Sequence, residues 1–286
     1  MNLKSVGVQL NARWRAVRGA AEGHIPMRYL PQYCTHSSRV WTPESKKAYM
    51  DYLDVLAKRK CGAERAEAFL KEWHIGRASF AEAYNLYEQV YVKDQYHARD
   101  HMKPDAVVVD VGANLGFFAR LAAELAPKGQ VYAFEPVPST FALLQKNAPQ
   151  ALSVIKGLGA TTEKKKIFTS DISMDCSVLA DSPHVGAKND DYSNVEEVAL
   201  TSLDEFVAER KLSRVDFIKI DIEGYERFAL EGARATLTKW KPVVAVSAYH
   251  NPDDKTVLPA LMASIDPSYR YTISTDGDED FIFSVR

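Results

Sequence analysis

From Ala106 to Ser247, short, nearly continuous apolar runs alternate with longer stretches in which apolar residues recur every three or four positions. The runs are AVVVDV (106–111), QVYAF (130–134), LSVIK (152–156), VDFIKI (215–220) and PVVAVS (242–247). Runs this apolar and this rich in β-branched residues read as strands of a parallel sheet covered on both faces. The stretches between them, LGFFARLAAELA (115–126), PSTFALLQKNA (138–148) and YERFALEGARATLTKW (225–240), read as the covering helices. YRYTIS, TDGDED and FIFSVR then predict a terminal antiparallel hairpin. The expected fold is α/β: a doubly wound, mostly parallel sheet with an antiparallel C-terminal hairpin.

The pattern before Lys103-Pro104 is different. Thr42 is placed to cap a helix with Pro43 in its first turn and Gly62 after its last. Ala66, Phe69, Leu70 and Trp73 follow at helical spacing, with Gly76 as a stop. Ser79 and Glu82 form a capping-box pattern ahead of Phe80, Tyr84, Tyr87 and Tyr91. Residues 1–102 are therefore expected to form a helical extension, a candidate substrate lid, ahead of a ligand-binding domain at 103–286. The stretch Gly159–Val195 has no clear period, and Lys164-Lys165-Lys166 and Asn189-Asp190-Asp191 within it read as solvated loop charge.

Composition changes this picture little. The 286 residues carry 36 Lys and Arg against 38 Asp and Glu, which gives no global signature of a nucleic-acid partner. No apolar run has the length of a membrane span. The leader with Arg13, Trp14, Arg15 and Arg18 lacks the apolar region of a secretory signal and reads as solvated. Three cysteines, Cys34, Cys61 and Cys176, without CxxC spacing suit a reduced, cytoplasmic compartment.

The strongest chemical signal is VVVDVGANLGFFARLA, in which a strand ends at Asp110 and a helix begins after Gly112 and Gly116. Small residues let a ligand approach the backbone there, at the edge where open α/β sheets bind ligands. The dinucleotide pattern GxGxxG would need glycine where Asn114 stands. An acidic residue in the turn disfavours pyrophosphate but suits a ligand with an ammonium and a sulfonium. Glu135, at the end of the next strand, is placed to accept two ribose hydroxyls. The bland alternative, a tight turn and a capped strand end, accounts for either motif alone but less well for both together.

These segments, with VYAFEPVPSTFALLQKN, TSLDEFV and DFIKIDIEGYERFALEGA, resemble the FkbM-type methyltransferases from about Tyr84 onward. The resemblance implies a class I methyltransferase fold, S-adenosylmethionine as donor and, usually, O-methylation of a sugar, polyketide or similar hydroxyl. It also implies that Asp110, Gly112, Asn114 and Gly116 surround the methionine part and that Glu135 holds the ribose. Nothing before Tyr84 is covered.

Two more strand ends are expected at the same edge. Asp221 and Glu223 follow VDFIKI, and alternation along the strand projects both to one side. The fold-making alternative is helix capping with an ion pair from Glu223 to Lys219 or Arg227. His250 follows PVVAVS, and a neutral imidazole suits removal of a hydroxyl proton near neutral pH, with Asp221 orienting acceptor or base. The competing reading of His250 is a surface loop residue. Asp221, Glu223 and His250 are also compatible with a divalent metal, the less favoured arrangement. Tyr96 and His97 are candidate acceptor contacts beside Glu223, whereas Tyr84, Tyr87 and Tyr91 suit packing. Two further functions stay open: an N-methyltransferase acting on an amine or peptide nitrogen, and a cofactor-binding scaffold without catalysis. Substrate and oligomeric state are not legible.

Overall fold

The computed structural model describes residues 63–76, 80–169, 178–179, 194–274 and 279–285. The expected helix from Thr42 to Gly62, the capping residue Ser79, all three cysteines and Asn189–Asp191 lie outside these residues. The described residues up to Asn85 form one compact unit and those from Leu86 onward another.

In the first unit, α1 (Ala63–Glu72) precedes α2 (Phe80–Tyr87), which runs on into the second. Phe69 of α1 meets Phe80 edge-on at 5.8 Å and Tyr84 at 5.4 Å. Trp73 is buried beside them, as the helical spacing of the apolar residues requires.

The second unit opens with a π-helical turn, Glu88–Val92, and a short helix, α3 (Ala98–His101). The wider turn interrupts the three-and-four spacing predicted through Tyr91. Tyr87 and Tyr91 stack at 4.9 Å, and Tyr87 packs edge-on against Phe117. These tyrosines are packing residues.

The strands of this unit are β1 (Val107–Val111), β2 (Gln130–Phe134), β3 (Leu152–Val154), β4 (Gly157–Leu158), β5 (Glu163–Thr169), β6 (Val178–Leu179), β7 (Asn194–Thr201), β8 (Phe217–Ile220), β9 (Val243–Ser247), β10 (Arg270–Ser274) and β11 (Asp280–Ser284). Seven form the main sheet in the order β10-β11-β9-β8-β1-β2-β3. Its strands run parallel from β9 to β3, while β11 is antiparallel to both β9 and β10. This is the doubly wound sheet with an antiparallel terminal hairpin. Its helices are α4 (Phe117–Leu125), α5 (Pro138–Asn147), α6 (Leu203–Arg210), α7 (Glu226–Glu231), α8 (Arg234–Trp240) and α9 (Asp254–Ile265). Val109, Phe134, Ile218, Val244 and Leu237 are fully buried in one core, which holds the strand ends in fixed register.

Three elements differ from the sequence reading. LSVIK yields only β3, because the chain leaves the main sheet at Ile155 and Gly157–Leu158 begins a second one. That sheet, of order β4-β7-β5-β6, takes up Glu163–Thr169 from the unread stretch, so Lys164–Lys166 lie on a strand rather than in a loop. The helix expected over 225–240 is two, α7 and α8, broken at Gly232. A Cβ on Gly232 would lie 2.0 Å from the Gly159 carbonyl oxygen, and past the break Asp204 caps α8 by accepting from the Ala235 and Thr236 amides at 2.8 Å.

Candidate active site

The turn after β1 is built for proximity. Gly112 and Gly116 have φ of 77° and 90°, and Asn114, also left-handed at 49°, lies between them. A Cβ on Gly112 would stand 2.0 Å from the carbonyl oxygen of Asp221, so the turns after β1 and β8 touch backbone to backbone. Asn147 Nδ2 donates to the Leu115 carbonyl at 2.8 Å and fixes the far side of the loop.

Glu135 is buried at the end of β2 and tied to this turn. Its Oε2 accepts from the Asn114 amide at 3.1 Å and its Oε1 from the Val137 amide at 2.9 Å. Each oxygen keeps a second lone pair. Burial raises the carboxyl to about 7, against the pull of the two amides.

Asp110 is fully buried, with Lys219 Nζ 3.3 Å from its Oδ1. The lysine directs its hydrogen bonds to the carbonyls of Gly112, at 2.7 Å, and Val111, at 3.3 Å. Burial works to lower the Lys219 pKa, but Asp110 and Asp221 hold it above the ordinary value, so the ammonium stays charged. Sequence reasoning missed Lys219 as a site residue. Its signal was present: a lysine inside the otherwise apolar run FIKI requires a buried partner.

A second cluster is gathered by the turn between β8 and α7 and the end of β9. Asp221 Oδ1 lies 3.7 Å and Glu223 Oε2 3.5 Å from His250 Nε2. The two carboxylates share a side through a tight turn, with Glu223 at φ 54°, rather than through continued strand alternation. The ion pairs weighed for Glu223 do not form with those cations: Lys219 pairs with Asp110, and Arg227 pairs with Asp253 and Asp254.

His250 is a buried residue, not a surface one. Its Nδ1 donates to Glu226 Oε1 at 2.8 Å. Glu226 is fully buried, and the same oxygen accepts from the amides of Ile222, at 3.0 Å, and Gly224, at 3.3 Å. Burial would depress the imidazole pKa, but Glu226, then Asp221 and Glu223, raise it to about 10. The surrounding carboxylates thus work against the neutral imidazole expected near pH 7. Glu226 is the second residue missed, because at the start of α7 it reads as an ordinary first-turn acid.

Tyr96 is buried against Phe118 at 5.3 Å and donates its hydroxyl to Asp221 Oδ2 at 2.8 Å. It orients Asp221 from within the core, whereas the sequence had suggested a pocket wall. Burial works to raise the Asp221 pKa, but Lys219, His250 and Tyr96 hold it below the usual carboxylate range. His97, with φ 51°, faces Asp100 at 3.5 Å and is not gathered with Asp221, Glu223 and His250.

Sheet order, glycine turn and the carboxylate ending β2 together define a class I, Rossmann-like methyltransferase fold. The profile of the methyltransferase FkbM domain matches residues 110–273, and the chain belongs to that family. It is 27% identical over 187 residues to the 31-O-demethyl-FK506 methyltransferase FkbM of Streptomyces tacrolimicus, covering 55% of this chain and 71% of that protein. It is 30% identical over 197 residues to the AMB antimetabolite synthetase AmbE of Pseudomonas aeruginosa, covering 56% of this chain but only 9% of that protein. The crystal structure of methyltransferase FkbM from Methylobacillus flagellatus aligns with a TM-score of 0.50 at 20% identity. That alignment covers 90% of this chain and 59% of the other. Among the described residues, no helix is long and apolar enough to cross a membrane.

Proposed function

We propose that the protein transfers a methyl group from S-adenosylmethionine to a hydroxyl oxygen on a small molecule, sugar or natural product. The observation carrying this reading is the backbone contact between Gly112 and Asp221. It brings the glycine turn and Glu135 to the same edge as the cluster Asp221, Glu223 and His250. Donor and acceptor machinery thus meet at one point, as an in-line transfer requires. Glu135 holds the ribose hydroxyls and the Gly112–Gly116 turn lies against the methionine part. The name of the Streptomyces relative, a 31-O-demethyl-FK506 methyltransferase, supports oxygen as the acceptor atom.

In the step itself, the acceptor oxygen attacks the methyl carbon, the carbon–sulfur bond breaks and its electron pair stays on sulfur as a thioether. The hydroxyl proton passes to a carboxylate of the cluster and on to water. Residues 1–102 shape acceptor access in this reading, and 103–286 carry the transfer.

Single-turnover transfer of a labelled methyl group to panels of alcohols, sugars and amines tests the proposal. Label should appear on oxygen acceptors. Asp221→Asn and His250→Ala should each slow transfer by about 10²–10⁴-fold while S-adenosylhomocysteine affinity changes little. Label on amines alone would assign nitrogen chemistry, and donor binding without any turnover would leave a scaffold.

A further inference from the structure

The three groups on the acceptor side share a geometric property that methyl transfer by general base does not need. One ligand atom from each of Asp221, Glu223 and His250 lies within 4.8 Å of the others. Around a cation with ligands at about 2.1 Å, adjacent ligand atoms stand about 3.0 Å apart and opposite ones about 4.2 Å. The observed separations from His250 Nε2, 3.5 and 3.7 Å, fall between these limits. Side-chain shifts of about 0.5–1 Å would bring the three atoms within coordinating distance of one ion.

The imidazole gives the independent sign. His250 is only 7% exposed, and its Nε2 has no hydrogen-bond partner among the described residues although it faces two carboxylates. Its other nitrogen donates to Glu226 Oε1. That bond fixes the ring and aims Nε2 at the cluster, where a cation would take the place of the Nε2 proton. A carboxylate behind a histidine is the recurrent outer shell of metal sites. Each partner is oriented in the same sense. Tyr96 occupies Asp221 Oδ2 and leaves Oδ1 toward His250, while the Glu226 bonds to Ile222 and Gly224 fix the turn that carries Glu223.

Charge points the same way. Asp221, Glu223 and the fully buried Glu226 gather around one imidazole, which makes this end of the site locally acidic. A divalent cation there would offset the mutual repulsion of carboxylates held this close.

We propose that Asp221 Oδ1, Glu223 Oε2 and His250 Nε2 bind one divalent cation of the magnesium–manganese class, with Glu226 as the group that positions the histidine. Two hard oxygens and one imidazole suit such an ion, and three protein ligands leave coordination positions for water and the acceptor hydroxyl. Bound there, the cation lowers the hydroxyl's pKa and holds its oxygen beside the donor turn. Only this use of the cation rests on the proposed methyl transfer; its binding does not.

The test therefore reads binding without donor or acceptor. Full-length protein freed of metal by chelation is titrated with manganese chloride, and free manganese is followed by electron paramagnetic resonance. One ion should bind per chain, and electron spin-echo modulation should show a coordinated nitrogen that His250→Ala removes. Glu223→Gln, at a partly exposed position that tolerates exchange, should weaken binding at least about tenfold, and Glu226→Gln by about 10–100-fold. Circular dichroism identifies any variant that fails to fold. No stoichiometric binding at millimolar manganese, binding without a nitrogen signal, or binding unchanged by Glu223→Gln would each overturn the assignment. Binding with no methyl transfer to any acceptor would leave the cation site standing and defeat only the functional reading.

Discussion

Under the proposed function, Glu135 joins two roles in one side chain. Its oxygens brace the donor turn through the amides of Asn114 and Val137, and their remaining lone pairs are those a ribose diol needs. Burial raises the carboxyl from 4.5 to about 7, with Lys219 lowering it and Asp110 raising it from the neighbouring strands. The sign follows directly. The proton held on folding stabilises the unliganded protein below the ordinary carboxylate range, and that contribution is lost as pH rises through about 7. Ribose hydroxyls donate to the ionised form, so donor affinity should move oppositely and rise about tenfold from pH 6 to pH 8. Calorimetric titration of S-adenosylhomocysteine across that range checks it. Glu135→Ala should weaken binding by about 1–3 kcal/mol and flatten the profile. A flat wild-type profile would contradict the assigned environment.

At the scale of elements, what the sequence showed and what it hid have a common cause. Strands and helices were legible wherever apolar spacing is set by the main sheet, as in AVVVDV and PVVAVS. The donor turn was legible because its chemistry is local: two glycines and an asparagine within five residues. Features made by distant partners were not. Gly232 lies inside a stretch whose period reads as one helix, and the groups that meet the chain at the break, the Gly159 carbonyl and the Asp204 carboxylate, come from distant segments. Glu226 acquires its role when β9 delivers His250, 24 residues later. The break allows a test of sign. Gly232 has an ordinary φ of −73°, so helix propensity alone predicts that Gly232→Ala stabilises by up to about 1 kcal/mol. A Cβ 2.0 Å from the Gly159 carbonyl oxygen predicts destabilisation instead, by about 1–3 kcal/mol. Urea unfolding of the two proteins decides between them.

Across the whole molecule, every site residue described lies in the unit that begins at Leu86. The donor turn, Glu135 and the Asp221–Glu223–His250 cluster draw on β1, β2, β8 and β9, all from the main sheet. A chain starting near Ser79 should accordingly keep S-adenosylhomocysteine binding while losing turnover, if the preceding helices govern acceptor access. Calorimetry and single-turnover transfer on that truncated chain separate the two properties. Loss of donor binding in a folded truncation would place the earlier residues in the donor pocket.

Gly112 and Asp221 meet with no side chain between them, and Lys219 grips the carbonyl on one side of that meeting and the acid before it. Two backbones in such contact cannot shift independently. Free energy exchanged across this seam is reciprocal: if an occupied donor turn tightens what Asp221 holds by some factor, that ligand tightens the donor by the same factor. Whatever the size of that factor, neither affinity at this seam is a property of one half alone.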